Sequence, residues 1–288
     1  MTKTDTDPIE TVPAVDVTPP EFSEEYIKVK DLSIDRVVQR GFLDPKKVER
    51  IVKNFNPSAL NVVVVSRRGK MVNVVLDGAH RVEAVRRLTG GDGEVLCHVF
   101  TDLPIEVEAK MFLDLNAGSQ PHLIDRFKVR IVAGDPVANA MNEILHAYGW
   151  KVDNRSGSGF FQPVGAAEKI YQTGLTKDVS GDERYPNLFQ ETIMIISHAW
   201  KNDHSSTMAP ILEAVSALIL EYGDALDTSR LERILAEYSG GPRGLLEDGR
   251  QLARSLRGRP SMGVAQRLVD EYNKGLKSRK LYGWRRSR

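Results

Sequence analysis

Up to about residue 100, apolar residues gather in short β-branched runs, and beyond residue 120 they recur at helical spacing. Runs at 26–32, 61–66, 71–76 and 94–100 predict strands, with Gly69-Lys70 as a hairpin-like turn between the second and third. Helical spacing over 45–54 and 81–88 predicts two helices among them, Pro45 being suited to a first turn. A further helix starts at Pro104 and ends near Asn116-Ala117-Gly118. The segments 123–132, 136–148, 163–171, 188–200, 209–222, 229–238, 245–256 and 261–276 then read as helices split by Gly, Pro, Asp or Ser. The expected fold class is α+β, a mixed N-terminal domain followed by an all-α C-terminal domain. The expected boundaries are an acidic disordered arm at 1–25, the mixed domain at 26–118, the helical domain at 119–273 and a basic tail at 274–288. The loops at 153–159 and 176–186 are Gly- and charge-rich and are expected to be the mobile parts.

Composition narrows the class. The 288 residues are 41% hydrophobic and 27% charged, enough for real cores in a soluble protein. Cys97 is the single cysteine, which excludes an intramolecular disulfide and a Cys-based metal site. With no signal pattern and no apolar stretch of about 18 residues, a cytoplasmic protein without a membrane partner is expected.

The net charge of +1 hides opposite ends. Asp5, Asp7, Glu10, Asp16, Glu21, Glu24 and Glu25 crowd the start against Lys3 alone, the composition of a disordered arm. Lys274, Lys277, Arg279, Lys280, Arg285, Arg286 and Arg288 crowd the finish, with Tyr282 and Trp284 among them. Such a tail suits a phosphate backbone, with its rings on unpaired bases. Docking of Leu276, Leu281, Tyr282 and Trp284 onto the core is an equal and compatible reading. On the first reading Lys277, Arg279, Lys280, Arg285 and Arg286 are the DNA-binding residues.

The richest chemistry lies at Asp77-Gly78-Ala79-His80-Arg81, between an apolar run and a helical one. A strand that turns at Gly and enters a helix leaves backbone N–H groups without acceptors where the helix dipole is positive. His80 and Arg81 add side-chain donors in the first turn, so the expected ligand is a phosphate group. A purely structural reading stands beside it, with Asp77 as N-cap and Arg81 on a solvated face. His98, alternating with apolar neighbours, reads as a half-exposed strand residue, and Arg86-Arg87 as a solvated helix face.

Val29-Lys30-Asp31-Leu32, Gln39-Arg40, the run Val62 to Ser66, the box Asp77 to Arg81 with Ala84, and Cys97-His98-Val99 together resemble the ParB/sulfiredoxin superfamily. Phe112, Asn116 and Asp125-Arg126-Phe127, with Tyr272-Asn273, Arg279, Leu281 and Trp284, resemble ParB-like proteins of actinobacterial phages and plasmids. The resemblance implies a nucleotide-phosphate pocket made by Gln39, Arg40, Gly78, Ala79, His80, Arg81 and Asn116. Asn116 serves equally as a helix cap. It further implies CTP or ATP bound with Mg²⁺ through Asp77, no metal cage of protein ligands, and DNA, nucleotide and a second copy of the chain as partners.

The superfamily also contains enzymes. Sulfiredoxin chemistry needs a cysteine where this chain has Ala79, so the resemblance does not extend to that activity. A kinase or NTP hydrolase would use Asp77 as its catalytic residue, with Asp35 or Asp44 as the upstream acid. A nuclease would need convergent carboxylates. Asp77, Glu83 and Asp114 show no cluster in the sequence. A DNA-associated protein with a nucleotide-phosphate pocket is therefore the leading expectation, and an NTP-dependent phosphotransferase, hydrolase or nuclease its alternative.

Overall fold

In a computed structural model, the described residues are 20–35, 43–69, 71–117, 122–177, 183 and 185–282. They form two compact units, one of residues up to Ile34 with Leu43–Leu103, the other from Pro104 onward.

The first unit is built on a five-stranded sheet of order β1-β5-β3-β4-β2. Its strands are β1 (Ser23–Lys28), β2 (Leu32–Ser33), β3 (Val63–Arg68), β4 (Val72–Asp77) and β5 (Glu94–Thr101). β3 and β4 form the antiparallel hairpin, β1 runs antiparallel to β5, and β3 to β5 and β2 to β4 are parallel. Alternation along β5 buries Val95, Cys97 and Val99 while Leu96 and His98 are half-buried. Helices α1 (Pro45–Lys53) and α2 (Ala79–Thr89) pack on each other. Asp44 caps α1 by accepting from Lys46 N at 3.0 Å.

Two expectations change in this unit. The strand drawn at 26–32 is broken, because the 3-10 turn Val29–Asp31 lets both Val29 and Leu32 reach the core. The acidic arm drawn at 1–25 already belongs to the sheet from Ser23. Glu25 holds Arg67 through both carboxylate oxygens, at 2.9 and 2.6 Å, and Glu24 accepts from His98 at 3.0 Å.

The second unit contains α3 (Ile105–Leu115), α4 (Leu123–Val132), α5 (Pro136–Ala147), α6 (Val164–Gly174), α7 (Leu188–Trp200), α8 (Ala209–Tyr222), α9 (Thr228–Ala236), α10 (Gly241–Leu256) and α11 (Pro260–Asn273). Helix α3, drawn with the mixed domain from sequence, falls with this unit because it packs on α4. The unit is also not all-α. Lys151–Val152 (β6) and Phe160–Phe161 (β7) form a parallel pair, and the loop between them is pinned where Gly159 N donates to Asn202 O at 3.0 Å. Helices α10 and α11 meet at Gly249 and Gly263 so closely that a Cβ on Gly263 would lie 1.9 Å from Gly249 O. Trp150, 1% exposed, donates its indole N–H to Ser197 Oγ at 2.9 Å. No helix of the described residues is long and apolar enough to cross a membrane.

Candidate functional site

A β-bulge between Val64 and Val65 faces the end of β4, where Val64 pairs with Asp77. Gly78 follows with φ of 96°, and a Cβ there would lie 3.0 Å from Arg81 Nη2. Gly78 is the N-cap of α2, so Asp77 does not cap the helix as the structural reading had it. The Gly78 carbonyl accepts from Arg81 N at 2.9 Å and Val82 N at 3.0 Å. The N–H groups of Ala79 and His80 open the helix with no acceptor inside it, the arrangement that suits an anion.

The side chains of the box are engaged differently from the sequence expectation. Arg81 turns inward, donating Nη1 to Leu60 O and to Val62 O (3.1 Å), and Nη2 to Asp77 Oδ2 at 2.9 Å. Three of its five N–H donors are thus spent on the protein, and Arg81 fastens the chain before β3 to the end of β4. It does not lie on a solvated face. His80 Nε2 accepts the backbone N–H of Asp44 at 3.1 Å. An acceptor nitrogen carries no proton, so the ring is neutral with its hydrogen on Nδ1. Burial holds the His80 pKa below the ordinary histidine value, Lys47 adds to this, and Asp44 and Asp77 oppose it.

Beside Arg81 lies a cleft of about 420 Å³ within the first unit. Arg50 lines it from α1, Asn54, Phe55 and Asn56 from the connection that follows, and Leu60 and Arg81 from the far side. No carboxylate is among its lining residues. Phe55 is 37% exposed, and Asn56 Oδ1 fixes its own turn by accepting from Ser58 N at 3.0 Å. The sequence reading stopped at the end of α1 and missed these residues. The available signal was an aromatic stranded between Asn54 and Asn56, ahead of Pro57, where no apolar period explains it.

The remaining predicted residues disperse. Gln39, Arg40, Arg285 and Arg286 lie outside the described residues. Asn116 belongs to the second unit, where it ends α3 with Nδ2 donating to Phe112 O at 2.8 Å. Lys277, Arg279 and Lys280 are exposed on a tail anchored by Leu281, which is 4% exposed and bonded through its backbone to Asn273. Docking therefore holds for Leu276 and Leu281, whereas Tyr282 is exposed and gives its carbonyl to Tyr222 Oη–H, and Trp284 lies outside the described residues. Arg86 is only partly solvated, since Nη2 donates to Val29 O at 2.8 Å and Leu32 O at 3.0 Å, whereas Arg87 is exposed. Glu83 is taken up by Arg86 and Arg87. Among the described residues no group of three or more His, Cys, Asp or Glu is placed to hold a metal. Asp77 bonds Arg81 through one carboxylate oxygen, Oδ2.

A family model described as a family of unknown function (DUF6551) matches residues 35–260. A solved structure of a Pnob8-like ParB-N domain is similar with a TM-score of 0.36 and 10% identity, over 83% of this chain and 99% of that one. No curated protein matches the chain.

Proposed function

The chain belongs to the DUF6551 family, and we propose that it is a ParB-like, DNA-associated protein that binds a nucleotide in the cleft beside Arg81. The observation that carries this reading is the lining of that cleft, with two guanidinium groups, one aromatic ring and two amides but no carboxylate. A base stacks on Phe55, and Asn54 and Asn56 read its polar edge. The phosphates meet Arg50 and the remaining N–H groups of Arg81, with the open N–H groups of Ala79 and His80 at the start of α2 as further donors. Mg²⁺ comes with CTP or ATP, with Asp77 as its protein contact. Exposed Lys277, Arg279 and Lys280, with Arg285 and Arg286, supply the DNA contact.

The test is a thermal-shift titration of the full chain with each of the four NTPs and Mg²⁺. At least one should raise Tm by several degrees at saturating ligand. Phe55→Ala and Arg50→Ala should each remove most of that rise while changing the Tm of the ligand-free protein little. A chain that no NTP stabilises overturns the nucleotide site. Turnover of the NTP that disappears in Asp77→Asn would move the protein into the enzyme class.

A further inference from the structure

We propose that a second cleft, within the helical unit and apart from the nucleotide cleft, binds a singly charged phosphate group. Its volume is about 480 Å³, and three segments distant in sequence enclose it. The β6–β7 loop brings Ser156 and Ser158, the turn after α7 brings Asp203, His204 and Ser205, and the start of α10 brings Arg243.

The donors converge by construction. Ser205, 4% exposed, accepts from Arg243 Nε at 2.9 Å, which fixes the guanidinium plane and leaves its two terminal nitrogens to face a ligand. Helix α10 has 16 residues, long enough for a full dipole. In its first turn Gly241 N donates to Tyr238 O, Pro242 has no N–H and Gly244 N donates to Gly240 O. The N–H of Arg243 is the donor left over at that end.

A separate observation also points to a ligand. His204, which lines the cleft, has its Nδ1 buried without a hydrogen-bond partner. A buried polar atom left unpaired is costly, and His204 is one of the residues that line the cleft. The two serine hydroxyls complete a polar wall.

Charge selects the form of the ligand. Asp203 is the opposing group, although its Oδ1 is committed to capping the turn by accepting from Ser205 N at 2.7 Å. Arg243 and the helix dipole against one carboxylate leave a modest positive balance, which suits a monoanion better than a dianion. Two sources share that chemistry, a phosphodiester of a nucleic-acid backbone and a small phosphodiester.

The experiment titrates the full chain calorimetrically with inorganic phosphate, then repeats the titration in the presence of a short DNA duplex. Phosphate should saturate one site, and Arg243→Gln and Ser158→Asp should each weaken it about tenfold or more. Arg50→Ala, which touches only the nucleotide cleft, should leave this binding unchanged. Ser158 sits in a surface loop, so its variant keeps the test valid if Arg243→Gln loosens α10. Competition by the duplex identifies backbone phosphate as the ligand, and its failure to compete identifies a small phosphodiester. Absence of saturable phosphate binding, or wild-type binding by both variants, overturns the proposal.

Discussion

The Asp77 carboxylate accepts from Arg81 Nη2 at 2.9 Å, four residues along the same box, while Nη1 of that guanidinium reaches back to Leu60 O and Val62 O. The pair is a latch that closes the start of β3 against the end of β4. It sits only 20% and 35% exposed at the two side chains, so solvent screens it less than a surface pair. An arginine read from sequence as a phosphate clamp is thus first a structural tie, whose remaining donors are aimed by the bonds already made.

Removing the latch should cost more stability than removing any other cation of the first unit. Arg81→Ala leaves Leu60 O, Val62 O and Asp77 without their partner, a loss of about 3 kcal/mol. Gly78→Ala should cost about 1–3 kcal/mol, because the left-handed backbone and the 3.0 Å approach of Arg81 Nη2 both reject a Cβ. Urea unfolding of the two variants and of Arg50→Ala provides the measurement. Equal midpoints for Arg81→Ala and Arg50→Ala would show that the latch carries no stability.

His80 gives stability a pH dependence of known sign. Its folded pKa lies below the ordinary 6.5, so the unfolded chain takes up the proton first as pH falls. The contribution is complete above about 6.5 and is lost as pH falls through the lower folded value. His80→Asn, which cannot titrate, should therefore lose less stability than the wild type between pH 7.5 and pH 5. Unfolding at the two pH values checks this. Identical pH losses in both proteins would mean that burial does not hold His80 neutral in the folded chain.

The α10–α11 contact should tolerate no side chain at its centre. A Cβ on Gly263 would meet Gly249 O at 1.9 Å and Ala253 N at 2.7 Å, both backbone atoms. Gly263→Ala should destabilise by about 3 kcal/mol or more, well beyond the usual gain in helix propensity. Gly165→Ala on α6, where the nearest atom would be Leu123 Cδ1 at 3.5 Å, should be neutral or slightly stabilising. Thermal denaturation separates the two, and equal Tm values would disprove the close crossing.

In the tail, DNA binding and docking can be separated. Substituting Lys277, Arg279 and Lys280 together by Gln leaves the Leu281 backbone bonds to Asn273 in place. The Tm should hold, while the slope of log K against log salt for a DNA duplex falls by roughly 3. An unchanged slope would exclude these three cations from the DNA contact.

Periodicity made much of the fold legible. The hairpin around Gly69, the Gly turn into α2 and the helices beyond residue 120 all follow from local rules that act within a few residues. The short β6–β7 pair was illegible, since two residues per strand carry no period. So was the break after Lys28, which depends on Gly91 and Gly93 supplying carbonyls from far along the chain. The box itself was visible as five consecutive residues, but side-chain direction is not a local property. Whether Arg81 faces solvent or the carbonyls of Leu60 and Val62 depends on where β3 lies. Asp44 N could not be paired with His80 before α1 and α2 packed together. The sequence by itself determined which residues carry charge, which of the longer strands and helices form, and that a Gly turn leads into a helix at Gly78. Only the tertiary structure decided which cations are spent on the fold and which line a cleft, because hydrogen bonds are won by whichever partners packing brings within about 3 Å.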